Sequence, residues 1–507
     1  MTKVIAYDLG TSGIKASLYD ADGKALAQTF EPYDTFYEGA LIHEQRPQDW
    51  WNGVVSSTKR LLEKSGARPR EVEGISISGH SLGVVPVDGE GNLLRDKTPI
   101  WSDARARAQA ADFFFKYPYD DWYMKTGNGF PAELYSVFKM MWYRDNEPRV
   151  HQKTCKYLGT KDYINFLLTG EMCTDHSYAS GSGVYSLLDG AYDKAMMQAS
   201  GIPEDKFADI APSAHVVGRV TSGAAKATGL AEGTKVFCGG VDNSCMALGA
   251  TCYKEGRVYT SLGSSAWIAV SSAKPIVDLK TKPFVFAHVV PGQFASAVSI
   301  FSAGNSLRWV RDNICVHIAE KAEREGRDAY ALMDELAMKS PIGANKLFFN
   351  PSLAGGSSFE LTPNIKGGYF GLILGHTVSD LIRAAMEGIA MNLGLVLKLL
   401  QELCPVSKDM IFVGGGSKSA FWRQMFADVY NCNIVKTNID QDAASLGAAA
   451  LALAGLGVWE GYGRIDNAHA LQDVSRPIPE NVREYERYGR LFKAIAEHCA
   501  QIGDMLA

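Results

Sequence analysis

The sequence of 507 residues predicts an α/β protein made of two halves. Three observations carry that expectation. Strand-like and helix-like stretches alternate along the chain. An apolar run followed by Leu-Gly and two hydroxyl residues occurs twice, as VIAYDLGTSG at 4–13 and VYTSLGSSA at 258–266. The length exceeds what one hydrophobic core usually fills, since domains typically hold about 100 to 200 residues.

Taken in order, 4–9 and 14–19 read as two β-strands around a Gly/Thr/Ser turn, and the sequence at 20–23 is a further turn signal. A helix is expected around Trp50 to Lys64 and a buried strand over Val72 to Ser78. A second helical pattern covers Ser136 to Asp145. From about 170 to 215, Gly, Ser, Tyr and Asp dominate, which predicts a loop-rich cap. The run at 235–243 reads as a strand ending in a turn at Gly239 and Gly240, and the junction between the halves is placed near 250. The second half repeats the hairpin, with a returning strand at Trp267 to Val270. Residues 379–400 carry Leu381, Ala385, Ile389 and Leu393 at helical spacing, with Thr377 and Asp380 as a capping box. A strand at 410–413 then enters Gly414, Gly415 and Gly416, followed by a helix from about Ser419 to Tyr430.

The balance of 51 Lys+Arg against 56 Asp+Glu gives a net charge of −5, without a long run of one sign, so nucleic acid is not an expected partner. No stretch reaches the roughly 18 apolar residues of a membrane span. The opening residues reach Asp8 before any signal-peptide core has formed. The 9 Cys, from Cys155 to Cys499, show no metal-ligand spacing, which fits a reducing, cytoplasmic setting.

In a turn of this kind Gly10 and Gly263 admit a ligand to the backbone, and amides with the hydroxyls of Thr11, Ser12, Ser264 and Ser265 can donate to phosphate oxygens. The glycines at 414–416 match neither a dinucleotide fingerprint nor a P-loop. They would let a flat ring lie against a helix start, or serve close packing alone. Asp8 and Asp242 each end a strand beside a glycine turn. A carboxylate next to a phosphate loop suits Mg2+, which takes hard oxygen ligands and keeps much of its water. A second, remote from that loop, suits a proton acceptor for an attacking hydroxyl. Strand-end aspartates also serve as caps. His80, past a strand end, and Trp101 with Asp103 have the character of a polyol site, although His80 also fits a structural role.

The chain is similar to the FGGY carbohydrate kinases, in particular their xylulokinase-like branch. The resemblance rests on DLGTS at 8–12, GGVDN at 239–243, SAGNSLRW at 302–309, DAASLGAAA at 442–450 and above all GGYFGL at 367–372 followed by DLIRAAME at 380–387. Lys139 and Trp142 match the N-terminal signature less completely. The resemblance implies two ribonuclease-H-like domains of the actin/hexokinase superfamily with a central cleft: 1–250, binding sugar and ending in the catalytic base, and 251–507, binding nucleotide. It implies ATP and Mg2+, with transfer of the γ-phosphate to a hydroxyl of a small sugar such as xylulose. Another ketose, a polyol or a sugar acid of the glycerol, erythritol or gluconate type is the alternative. A silent sugar sensor is disfavoured by the presence of both carboxylates, and a chaperone-like ATPase by the lack of a long enough β-rich segment after 454.

Asp242 would be the base and Asp8 the metal-side carboxylate. Thr11, Ser12, Gly13, Gly263 and Ser264 would face phosphates, with Gly304, Gly415, Gly416 and Ser417 on the nucleotide side. His80, Ser81, Trp101, Asp103 and Asn243 would face sugar. Two departures mark the sugar side: His80, Ser81 and Leu82 replace a Gln-Met-His segment, and AGGSSFELTP at 354–363 replaces a Gly-Glu-Arg-Thr-Pro loop. The oligomeric state is left open, a homodimer being one option.

Overall fold

A computed structural model describes residues 2–357 and 359–507, so Ser358 of the 354–363 loop lies outside the described residues. The chain forms two compact α/β units. One comprises Met1–Lys254, Ser271–Ser296 and Asp442–His469, the other Glu255–Val270, Ala297–Gln441 and Ala470–Ala507.

In the first unit, β1 (Lys3–Leu9), β2 (Gly13–Asp20) and β3 (Ala25–Pro32) form an antiparallel meander, with Leu9 opposite Ile14 at the hairpin. Helix α1 (Pro47–Ser65) begins on a proline, whose missing N–H costs nothing in a first turn, and ends at Gly66 in the left-handed conformation. β4 (Val72–Gly79) then lies parallel to β1, bringing Ser78 opposite Asp8. Helices α2 (Ser136–Asn146) and α3 (Thr160–Thr169) precede the region expected to be a loop-rich cap. That region is instead built of short elements. β5 (Cys173–Asp175) pairs with Asp209–Ala211, and α4 (His176–Ala179) is capped by Asp175. Its many Gly, Ser and Asp residues are caps and turns between elements too brief to show a periodicity.

β6 (Val216–Arg219), β7 (Lys235–Phe237) and β8 (Gly240–Val241) complete the sheet, whose order is β6–β7–β4–β1–β2–β3 with β8 also beside β4. Helix α5 (Asp242–Gly249) follows at once. Asp242 is therefore the first residue of a helix, one step beyond the strand end expected from the sequence.

The second unit starts with β9 (Val258–Leu262) and β10 (Ala266–Ser272), the repeat of the first hairpin. It continues with α6 (Gly304–Asn313), α7 (Ala329–Ala337), α8 (Val378–Leu403), β11 (Asp409–Val413), α9 (Ala420–Tyr430) and β12 (Asn433–Thr437). The capping box holds: the Thr377 amide and hydroxyl donate to Asp380 at 2.8 and 2.9 Å. After α10 (Ala443–Gly455), β13 (Leu471–Ser475) closes a run β10–β9–β11–β12–β13, parallel at its centre.

The expected assignment of everything after 250 to one domain meets a chain that crosses back. Helix α10 belongs to the first unit, where Tyr19 bonds Ser445 (2.7 Å) and Lys15 pairs with Asp442 (3.0 Å). It approaches α5 so closely that a Cβ on Gly447 would lie 1.9 Å from the Cys245 carbonyl. Its apolar residues surround the helix, so it must be covered on all sides. Among the described residues no helix is long and apolar enough to cross a membrane.

Candidate active site

The first hairpin is braced from behind. The Gly10 amide closes the turn on the Gly13 carbonyl (3.1 Å), Tyr33 donates to the Gly10 carbonyl, and Gln45 Nε2 donates to the Thr11 carbonyl (2.7 Å). Gln45 is fixed in turn by Trp50 Nε1 (2.9 Å). Trp101, 41% exposed, donates from Nε1 to Thr11 Oγ1 (3.0 Å) and ties the expected sugar-side loop to the expected phosphate loop. Ser12 is exposed. Gly13 carries a packing explanation: a Cβ there would sit 2.5 Å from the Glu31 carbonyl.

Asp8, next to last in β1, and Asp242, the first residue of α5, are both half-buried. Asp8 accepts from Ser78 Oγ (3.0 Å); burial raises its pKa, against the pull of that bond and of Lys15. The Asp242 carboxyl is pushed up to about 7 by burial and then by the charge of Asp8, and its Oδ1 accepts the Asn243 amide (2.8 Å). Asn243 is half-buried beside it. A carboxyl poised near neutrality can accept a proton from a hydroxyl and release it to solvent.

His80 is 1% exposed, with its amide bonded to the Leu9 carbonyl (3.0 Å) and its ring edge-on to Trp50. Neither ring nitrogen has a hydrogen-bond partner among the described residues. Burial and the Lys139 charge lower its pKa to about 4, so it is neutral at pH 7. Ser81 is buried next to it, and Leu82 adopts φ 60, a strained conformation for a branched side chain. Buried Lys139 donates to the carbonyls of Leu82 (3.0 Å) and Ile100 (2.7 Å), holding the loops of His80 and Trp101 together; burial lowers its pKa to about 7.

Asp103 departs from the expected sugar contact. It is fully buried, and its oxygens accept Arg105 Nε (2.8 Å) and Nη2 (2.7 Å) and the His43 amide (2.7 Å). Its hydrogen-bonding capacity is used inside the protein, because Arg105 presents a fork that matches a carboxylate.

In the second unit, a cavity of about 610 Å³ brings together Gly263, Ser264, Gly304, Gly415 and Gly416 with Arg308, Tyr330 and Trp422. The volume suits a nucleotide. The start of α6 docks on the hairpin, the Gly304 amide bonding the Gly263 carbonyl (3.0 Å), and a Cβ on Gly304 would fall 2.3 Å from that oxygen. Gly416 is packed against Leu262, whereas around Gly415 there is open space. Ser417 departs from expectation: it is buried, accepts from Lys436 (2.9 Å) and donates to Asp440 (3.2 Å), so its hydroxyl braces the turn from within.

Several lining residues escaped the sequence reading. Arg308, which reaches Ser264 Oγ (3.2 Å), lies in the SAGNSLRW motif one helical turn after Gly304 and was within reach of it. Tyr330, Asp334, Met386 and Trp422 come from three separate helices, and no local pattern joins them.

Comparison with known proteins places this geometry in a family. Residues 3–249 match the FGGY family of carbohydrate kinases, N-terminal domain, and residues 258–456 match its C-terminal domain. The chain is 30% identical over 507 residues to a xylulose kinase of Bacillus subtilis, covering 100% of this chain and 99% of that one. It is 26% identical over 499 residues to a gluconokinase of the same organism, covering 96% and 94%. The crystal structure of xylulose kinase from Rhodospirillum rubrum superposes with a TM-score of 0.89 at 26% identity, over 99% of this chain and 100% of that one. With both domain models matched and a relative aligned end to end, the chain belongs to the FGGY family of carbohydrate kinases, enzymes that phosphorylate small sugars at the expense of ATP.

Proposed function

We propose that this kinase phosphorylates an uncharged five-carbon ketose of the xylulose type, with Asp242 accepting the proton of the attacking hydroxyl. The observation that carries the role is the carboxyl of Asp242, raised to about 7 beside Asp8 and without an ion-pair partner among the described residues. Once ionised it can take the hydroxyl proton as the oxygen attacks the γ-phosphorus, which leaves positioning and charge stabilisation as the rest of the catalytic work.

Within the second unit, Gly263, Ser264 and Arg308 serve the phosphates, and in the first unit the Thr11 and Ser12 turn has the donors for phosphate oxygens. Tyr330, Met386, Trp422, Gly415 and Gly416 serve the nucleoside in the 610 Å³ cavity. The hard oxygens of Asp8 suit Mg2+, which would be held largely through water and phosphate and would offset phosphate charge.

His80, Ser81, Trp101 and Asn243 read the sugar, while Asp103 acts behind them by fixing Arg105. An uncharged sugar is favoured over an aldonate because the cations at these loops are spent. Lys139 is bonded to two carbonyls, Arg105 to Asp103 and Glu44, and His80 is neutral. The relatives named xylulose kinase support the same choice.

The deciding measurement is ADP release with a panel of ketopentoses, polyols and aldonates. A pentulose is expected to give the highest kcat/KM. A higher value for gluconate or glycerol overturns the substrate while leaving the kinase reading intact.

A further inference from the structure

The segment that carries Asp242 is short and rich in glycine, and pairs with β4 over Gly240 and Val241 alone. β7 stops at Phe237, Gly239 follows in the left-handed conformation (φ 74), and β8 is two residues long. A residue mounted on two adjacent glycines is held only as well as its neighbours hold the backbone.

Both ends of this segment are gripped by one buried ionic cluster. At the near end, the Cys238 carbonyl accepts Lys161 Nζ (3.1 Å) and Asn165 Nδ2 (2.9 Å). At the far end, the Val241 amide donates to Ser177 Oγ (2.9 Å), one peptide before Asp242. The Ser177 hydroxyl donates to Asp175, and the same carboxylate accepts the Ser213 hydroxyl (2.7 Å) and the amides of Ser177 (2.9 Å) and Tyr178 (3.2 Å). Lys161 closes the circuit, pairing with Asp175 (3.1 Å) and Asp162 (2.6 Å). All five side chains of the grip (Lys161, Asp162, Asn165, Asp175 and Ser177) are at most 1% exposed.

Burying two carboxylates and one ammonium is a poor way to gain stability, because desolvation costs several kcal/mol per ion and apolar residues of equal volume often do as well. What such a cluster does supply is direction. Ser177 can accept the Val241 N–H only while its own proton points elsewhere, and Asp175 fixes that orientation. Gly240 is pressed against the same hydroxyl, where a Cβ would sit 3.2 Å from it. The peptide before Asp242 is thereby placed, and with it the direction of the Asp242 side chain.

We propose that Lys161, Asn165, Asp175 and Ser177 form the positioning device of Asp242, acting through the Cys238 carbonyl and the Val241 amide. The inference rests on the reading of Asp242 as proton acceptor. The test compares Ser177→Ala, Asn165→Leu, Ser213→Ala and Asp242→Asn in the full-length enzyme, by steady-state kinetics on its best sugar and by thermal unfolding. Ser213 touches the same carboxylate but makes no side-chain bond to 238–242.

Ser177→Ala is expected to lower kcat about 10- to 100-fold with KM for sugar and ATP changed less than about twofold, as for a misplaced reacting group. Asn165→Leu should lower kcat in the same sense. Ser213→Ala should lose a similar amount of Tm and keep kcat within about twofold. Equal losses of Tm in the two serine variants, with wild-type kcat in both, overturn the proposal. Should Ser177→Ala not fold, Asn165→Leu decides alone: wild-type kcat overturns the proposal, and a selective loss of kcat supports it. Asp242→Asn separates the two claims. If it keeps more than about a tenth of turnover, the base assignment falls. If it is inactive while Ser177→Ala turns over normally, the base stands and the positioning device falls.

Discussion

At Asp242, function and stability pull in opposite directions. A carboxyl whose pKa is raised in the folded protein to about 7, from an ordinary 3.8, destabilises the fold progressively as pH climbs between those two values, because the unfolded form gives up its proton first. The penalty is absent below about pH 4, where folded and unfolded forms are both protonated, and complete above about pH 7. Asp242→Asn is therefore expected to raise stability at pH 8 by on the order of 2 to 4 kcal/mol and to leave it unchanged at pH 4, a contrast that thermal unfolding at the two pH values measures. The same substitution should lower turnover by about 10² to 10⁴. In the wild type, kcat/KM should rise with pH through an acid limb near 7. Because the charge of Asp8 is the second cause of the shift, Asp8→Asn should move that midpoint to lower pH whatever it does to the amplitude. His80 makes a different case: its ring is buried and neutral, its two nitrogens have no hydrogen-bond partner among the described residues, and the proposed function gives them sugar hydroxyls to meet. His80→Ala is expected to flatten the preference among sugar epimers while KM for ATP stays fixed; a lower Tm with the epimer ranking unchanged would make it a brace for the turn.

Between elements, the glycines sort into two kinds by what a methyl group would meet. Gly447, on α10 against α5, has the Cys245 carbonyl 1.9 Å from where a Cβ would lie, so Gly447→Ala must push the two helices apart. A loss of about 1 to 3 kcal/mol is expected, seen as a lower Tm with KM for ATP unchanged. Gly415 has nothing within 4 Å and lines the large cavity of the second unit. Gly415→Ala should keep the wild-type Tm and raise KM for ATP about 10-fold, provided that the cavity holds the nucleotide. An unchanged KM would move the nucleotide elsewhere. The hairpins, α1, α8 with its capping box and the strand entering Gly414 were legible because each is long enough to show its period or carries its own end signals. The 170–215 region was not, because elements of two to seven residues are too short to show a period.

For the whole molecule, the chain path has a consequence for folding. The first unit is complete only after Asp442–His469 has returned to it, with Tyr19 bonded to Ser445 and Trp459 bonded to the Ala21 carbonyl (2.8 Å). A fragment ending at Gln441 is expected to lose the tertiary signal of this unit, read as near-ultraviolet circular dichroism, although it keeps β1 to α5. A fragment with an intact signal would show that α10 is dispensable. By itself the sequence determined the fold class, the duplicated hairpin and the carboxylates Asp8 and Asp242, because strand periodicity, glycine turns and motif spacing act over a few residues and are written locally. Only the tertiary structure decided which polar groups are still free to meet a ligand. Asp103 and Ser417 carry the right chemistry at the right place in the chain, yet Arg105 and Lys436 had already claimed them, and the Lys161–Asp175–Ser177 grip on the Asp242 segment joins three stretches that no local pattern connects. Hydrogen-bonding capacity is shared out among neighbours in space, and those neighbours exist only once the chain has folded.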